Sequence, residues 1–345
     1  HTEGGSDVVS VTLNQVPSYQ SSRNRIINGN FDVWQRPFSA SNYITVNTTN
    51  NTFGPDRWLV YFDGTMGNNS LNQMSFTLGQ TSIPGEPKYH LRWDITSAGS
   101  ASTYRELAQR IEGVRTFAGQ TVTLSFWAKA DAARTITLTL RQNFGTGGSP
   151  SSDVNTALTS ISATTSWQKF TRTVTLPSIS GKTIGTNNND YLQLIFGMPI
   201  NVVMQFDLSQ VQLEAGSTAT PFEFEPYETT LRKCQRYYYK WPLFSGSGYG
   251  SIGIASTQTT TAGRLHVQFP VPMRIAPTGL VASGSSFVGW VSGGGGVSVT
   301  LGQDRFTDTS ALVAVTGTSF TSGGAVMVSG ASDGTSKVEF TGAEL

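Results

Sequence analysis

From Arg25 to about Phe224 apolar and polar residues alternate in short runs, the period of an extended strand with one face on a core. FGPDRWLVYF (53–62), KYHLRWDI (88–95), GQTVTLSFWAKA (119–130), RTITLTLRQNF (134–144), SWQKFTRTVTLP (166–177), DYLQLIFGM (190–198) and VVMQFDLSQVQLE (202–214) all follow this pattern or nearly so. Turn residues separate them at Pro84-Gly85, 145–150, Gly181 and 187–190. Strands of this length without helical crossovers predict an antiparallel jelly-roll β-sandwich over 25–227. ETTLRKCQR then reads as a short helix, with Leu231 and Cys234 on one side, in a connector over 228–240. Short strands resume over 241–345, among them GRLHVQFPV, SFVGWVS, ALVAVTG and KVEFTGAEL, and predict a second, smaller β-sandwich domain. Residues 1–24 are polar with one short alternating run, and read as an N-terminal arm or the end of an upstream segment.

The alternation also assigns faces. In 121–129, Val122, Leu124, Phe126 and Ala128 point inward, which sends Thr123, Ser125, Trp127 and Lys129 outward. In 135–141, Ile136, Leu138 and Leu140 face the core while Thr137, Thr139 and Arg141 face away. A tryptophan on the polar face of a strand has two readings. It lies under a loop or another subunit, or it is a platform on which the C–H face of a sugar ring stacks beside hydrogen-bonding Arg or Gln.

Composition narrows the function classes. Of 345 residues 13% are charged, and Lys plus Arg number 23 against 22 Asp plus Glu, so no basic field argues for nucleic acid or an anionic membrane. No apolar run approaches the ~20 residues that span a bilayer, so no membrane insertion is expected. The single cysteine, Cys234, excludes an intramolecular disulfide and reads as a small buried hydrophobe. The chain begins at His1, without a methionine, and reads as a piece of something longer.

Catalytic equipment is sparse. The histidines His1, His90 and His266 are solitary, and no zinc-ligand or P-loop spacing occurs. One G-x-S-x-G match, GASDG at 330–334, lacks the strand-to-helix setting of a nucleophile elbow. Asp56, Asp63, Asp94, Glu106 and Glu112 are available carboxylates, yet their spacing picks out no glycosidase pair. The pattern therefore favours a non-enzymatic protein. A structural calcium ion held by Asn30 or Asp32 with Asp207 is one expectation, and ordinary turn capping by the same residues is its rival.

NRIINGNFDVWQR (24–36), GPDRW (54–58), VTLSFWAKA (122–130), SWQKFTRTVTLP (166–177), VQLEAGSTATPFEFEPY (211–227) and CQRYYYK (234–240) together resemble the carbohydrate-binding-module-like jelly roll of bacteriophage tail fibres and related receptor-binding proteins. FPVPMRIAPT (269–278) and VEFTGAEL (338–345) resemble the domain that commonly follows it, and 3–19 looks like a tail-collar remnant with Tyr19 where that pattern has histidine. The resemblance implies a homotrimer in a virion tail fibre, contacts with other virion tail proteins, and recognition of a host surface polysaccharide such as lipopolysaccharide or capsule. It implies that Trp34, Trp58 and Trp167 are scaffold that fills the sandwich, and it does not fix the binding residues. The face argument selects Trp127, Arg141 and Gln193 as glycan-binding candidates, with Phe287 and Trp290 beside the Gly-rich loops as an alternative receptor contact. Two further readings stand beside the adhesin: a structural fibre component that contacts only protein, and a polysaccharide depolymerase.

Overall fold

The computed structural model describes residues 23–36, 43–45, 52–65, 67–241, 250–283, 287–291, 295–330 and 336–345. Nearly all of the expected arm over 1–24, and most of the Gly-rich loops at 283–286 and 292–296, lie outside the described residues.

Twelve strands build the N-terminal unit. In chain order they are β1 (Tyr43–Thr45), β2 (Thr52–Phe53), β3 (Trp58–Phe62), β4 (Asn69–Ser75), β5 (Tyr89–Ile95), β6 (Arg105–Glu112), β7 (Thr121–Ala130), β8 (Arg134–Asn143), β9 (Val154–Ala163), β10 (Gln168–Thr175), β11 (Tyr191–Gly197) and β12 (Met204–Ala215). They pair antiparallel into two six-stranded sheets, one ordered β1-β4-β5-β12-β7-β10 and the other β2-β3-β6-β11-β8-β9. We call these sheet A and sheet B.

The predicted inward residues of β7 and β8 all join one buried core between the sheets. Phe126 of sheet A and Phe196 of sheet B meet edge to face across it, with ring centroids 5.1 Å apart. Trp58 and Trp93 are fully buried there. The NGNFDVW motif forms no strand. Its Asn28 adopts a positive φ, which Asn tolerates better than most residues, and its amide bonds the backbone of Val33 and Asp56. That side chain locks the loop against Trp58, whose indole donates to the Asn28 carbonyl.

Helix α1 (Tyr227–Gln235) follows, with Cys234 buried on its inner side. Beyond it come β13 (Tyr239–Trp241), β14 (Ser251–Thr257), β15 (Ala262–Gln268), β16 (Gly279–Ser283), β17 (Phe287–Val291), β18 (Gly296–Phe306), β19 (Ser310–Thr316), β20 (Ala325–Gly330) and β21 (Lys337–Thr341). The expected smaller sandwich takes the form of a six-stranded closed barrel, ordered β14-β15-β19-β18-β17-β20, beside a three-stranded sheet β13-β21-β16. Closure follows from β20, which pairs with both β14 and β17 and so leaves the barrel no edge.

The two units are joined by charge. The Glu344 carboxylate sits between Arg57 and Arg36, the latter at 2.7 Å, and Arg57 also bonds the Arg110 carbonyl at 2.6 Å. Arg274 of the second unit donates to the carbonyls of Ala343, Glu344 and Asn188. Arg36 and Arg57 lie over the rings of Tyr238 and Tyr237. Asp56 is buried beside them and accepts two hydrogen bonds from Gln35; burial pushes its carboxyl up to about 6, while Arg36 pulls the other way.

A second buried carboxylate behaves oppositely. Asp207, on the outward side of β12, accepts two bonds from Arg92 and lies 3.4 Å from Lys129. Burial opposes its charge, yet Arg92 and the adjacent His90 outweigh that and hold its pKa at about 2. Its unfolded value is near 3.9, so the folded form binds the proton more weakly. The stabilisation, about 2 kcal/mol, is therefore fully present above about pH 5 and is lost as the pH falls through 4 towards 2. Asp207→Asn is expected to melt several degrees below the parent at pH 7, with the gap narrowing on acidification. A gap that stays constant from pH 7 to 2 would contradict the pairing.

Candidate functional site

Strands with a period of two have two faces, and the core takes only one. On sheet B the outward positions of β6 and β11 are Glu106, Ala108, Arg110 and Glu112 against Gly197, Ile195, Gln193 and Tyr191. β3 adds Leu59 and Tyr61 on one side, and β8 adds Thr139 and Arg141 on the other. Leu59, Ala108 and Ile195 point away from the sandwich core, yet they are buried as a small apolar cluster with Phe53 and Tyr61 packed on it. The middle of this face is thus an apolar strip.

Polar groups flank the strip. Gln193 lies in register between Arg110 and Arg141. It is 0% exposed, and neither its amide nitrogen nor its amide oxygen has a hydrogen-bond partner among the described residues. An amide left in that state costs ~1–3 kcal/mol, which folding alone does not recover. Arg110 stands between the rings of Tyr61 and Tyr191, 5.2 and 4.8 Å from their centroids, and desolvation lowers its pKa. Arg141 is tethered by one hydrogen bond of 3.0 Å to Asn155. Burial raises the Glu106 pKa against the charge of Arg141. An apolar floor, tyrosine rings and donors aimed from both sides suit a flat ligand rich in hydroxyls.

The expected trio is therefore divided. Arg141 and Gln193 are cross-strand neighbours on sheet B, whereas Trp127 lies on the outer face of sheet A, with the whole core between them. The reason is that β7 and β8 are consecutive in sequence but belong to opposite sheets, so their outward residues diverge. Trp127 is half-buried and lines a different cavity.

Two other expectations are corrected. Phe287 is no loop contact: it lies on β17, 6% exposed, inside the barrel core. Trp290, on the same strand, pairs in register with Met327 and Gly296 and is half-buried. The calcium ligands do not converge either. Asn30 bonds Asp32 beside Tyr89 and Tyr227, whereas both oxygens of Asp207 are bonded by Arg92 with Lys129 adjacent, a cationic setting that disfavours a metal ion. Among the described residues no group of three or more His, Cys, Asp or Glu is placed to hold a metal.

Arg110, Tyr61 and Tyr191 were missed at the level of sequence. RELAQRIE alternates as cleanly as β7, and reading its faces would have placed Ala108 and Arg110 outward. WLVYF gives no such signal, because a strand covered on both faces reads as a continuous apolar run.

Residues 23–188 match the carbohydrate binding domain family CBM_4_9. The match spans just under half of the chain and stops before β11 and β12, the strands that complete the two sheets. No curated protein matches the chain. Among solved structures, the enzymatically active domain of bacteriophage CBA120 tailspike protein 4 overlaps 56% of this chain at 13% identity and a TM-score of 0.35, and the chain spans 22% of that protein. The N-terminal cellulose-binding domain of Cellulomonas fimi β-1,4-glucanase C overlaps 48% of this chain and 93% of its own length, at 18% identity and a TM-score of 0.32. A xylan-binding domain from Paenibacillus barcinonensis overlaps 51% and 95%, at 12% identity and 0.31. Overlaps this slight carry no weight for ligand or role.

A buried amide without partners makes a direct test of the site. Gln193→Leu removes it at similar volume, so the variant is expected to melt at or above the parent temperature, by roughly 2–4 °C per kcal/mol recovered. A loss of several degrees would show that Gln193 is a structural hydrogen-bonding residue.

Proposed function

We propose that the N-terminal sandwich binds a polysaccharide on the outer face of sheet B. The observation that carries this reading is Gln193, whose buried amide has no hydrogen-bond partner among the described residues and lies between Arg110 and Arg141 at the edge of the apolar strip. The match of residues 23–188 to a carbohydrate binding domain supports it. Sugar C–H faces stack on the half-buried Phe53 and Tyr61 rings that cap Leu59 and Ile195, and hydroxyls pair with the Gln193 amide and the guanidinium groups. Access requires Arg141 to swing aside, at the cost of its hydrogen bond to Asn155.

The motifs from NRIINGNFDVWQR to VEFTGAEL support a finer assignment, a bacteriophage tail-fibre adhesin that meets its host through surface glycan. In that setting a single shallow site of about millimolar affinity, on the order of −4 kcal/mol, is sufficient. Trimerisation and several fibres per particle multiply it into stable attachment.

Two measurements test these claims. On an array of bacterial envelope polysaccharides the protein is expected to retain at least one glycan, and Gln193→Leu or Arg141→Ala to weaken that binding tenfold or more without lowering the melting temperature. Retention of no glycan, or binding that neither change affects, would rule out the sheet B site. Sedimentation of the purified protein is expected to give a trimer, and a monomer at all concentrations would remove the multivalency argument.

A further inference from the structure

The outer face of sheet A holds a cavity of about 600 Å³ that the sheet B site leaves unused. Its floor is Trp127, in register between Lys169 of β10 and Ser209 of β12. One wall is formed by Pro221, Phe222 and Phe224, and the facing wall is the turn at Pro84-Gly85. Phe222 and Phe224 meet edge to face at 4.9 Å, and Phe224 is 48% exposed, an unusual amount for a ring in a folded rim.

Both walls are built, not incidental. Gln212 and Glu214 stay buried on the outward side of β12. The Glu214 carboxylate accepts bonds from the backbone and hydroxyl of Thr220, and the Gln212 side-chain amide oxygen accepts the Glu223 N–H. Together they fold the chain after β12 back over the sheet and hold the aromatic wall in place. Gly85 has φ +82°, and a Cβ there would lie 2.6 Å from the Phe224 ring, so the facing turn needs glycine for both conformation and close approach.

A bulge supplies the polar contact. The β12–β7 register shifts between Ser209 and Gln212, and Gln210 takes φ +50°, a conformation that side-chain-bearing residues hold only when their surroundings impose it. The bulge turns Gln210 out of the ladder and into the cavity. Its amide nitrogen donates to the Pro84 carbonyl at 2.7 Å, while its amide oxygen receives no donor among the described residues. Lys169 has no ion pair or hydrogen bond among the described residues, and no carboxylate lines the cavity.

We propose that this cavity is a second carbohydrate site, selective for an acidic sugar unit such as a hexuronate. The ring's C–H face stacks on Trp127 between the Phe222–Phe224 pair and the proline turn. Its carboxylate pairs with Lys169, and a ring hydroxyl donates to Gln210. A charged unit is favoured over a neutral one because, among the described residues, the only formal charge lining the cavity is the Lys169 cation, which has no ion-pair partner there. The site is independent of the sheet B face, which lies across the core.

Calorimetry with the intact chain tests it, using oligomers of galacturonate, glucuronate and mannuronate, their methyl esters, and octanoate as an apolar carboxylate. At least one uronate is expected to bind at least fivefold more tightly than its ester, with affinity falling as salt rises. Trp127→Ala is expected to abolish that binding, Trp127→Phe to retain part of it, and Lys169→Gln to erase the preference over the ester. Gln193→Leu and Arg141→Ala should leave it unchanged, so loss of the sheet B site and loss of this one are told apart. Failure of every uronate to bind, indifference to Trp127→Ala and Lys169→Gln, or equal binding of octanoate would each overturn the proposal.

Discussion

The charge cluster at Glu344 is the contact on which the arrangement of the molecule depends. Arg57 is a buried guanidinium at a positive φ, a costly residue in both respects unless its charge is matched and its donors are used. Glu344 matches the charge, the Arg110 carbonyl takes another donor, and the Tyr237 ring covers the face. Arg36 shares the same carboxylate, and Arg274 grips the backbone on either side of it. The stretches WQR, PDRW, CQRYYYK, PMRIAP and TGAEL are far apart in sequence but meet here. Their joint occurrence marks a domain junction, because a buried ion cluster is tolerated only when all its partners are present.

That junction also bears on the sheet B face. Arg110 reaches from the outer side of β6 to the Leu345 carbonyl, so the second unit abuts one end of the strip on which Gln193 lies. Fixing Arg110 from behind leaves its guanidinium wedged between Tyr61 and Tyr191 rather than free in solvent. The segment after β21 thus contributes rigidity to the proposed binding face. A preorganised side chain loses less entropy on binding than a mobile one, which matters for a weak site.

Sheet A illustrates a different economy. Its outer face buries an ion network, with Asp207 among Arg92, Lys129 and His90, under an aromatic group formed by Phe76, His90 and Trp167. Trp167 therefore covers polar groups on the outside of the sandwich instead of filling it. Beside this cover the chain after β12 is stapled down by Gln212 and Glu214, and the cavity at Trp127 lies between that segment and the turn at Pro84-Gly85.

Much of this was legible in the residues themselves. Alternation alone placed Val122, Leu124, Phe126, Ile136, Leu138 and Leu140 in the core, since a side chain's face follows from its parity along the strand and needs no partner. The same parity put Trp127, Arg141 and Gln193 on polar faces or beside them. What parity cannot supply is which sheet a strand joins. β7 pairs with β10 and β12, whereas β8 pairs with β9 and β11, and those partners are chosen by packing and chain closure across long sequence separations. So the sequence determined the all-β class and the direction of individual side chains. Only the tertiary structure decided that Gln193 and Arg141 share a face, that Trp127 lies on the opposite one, and that six of the later strands close into a barrel.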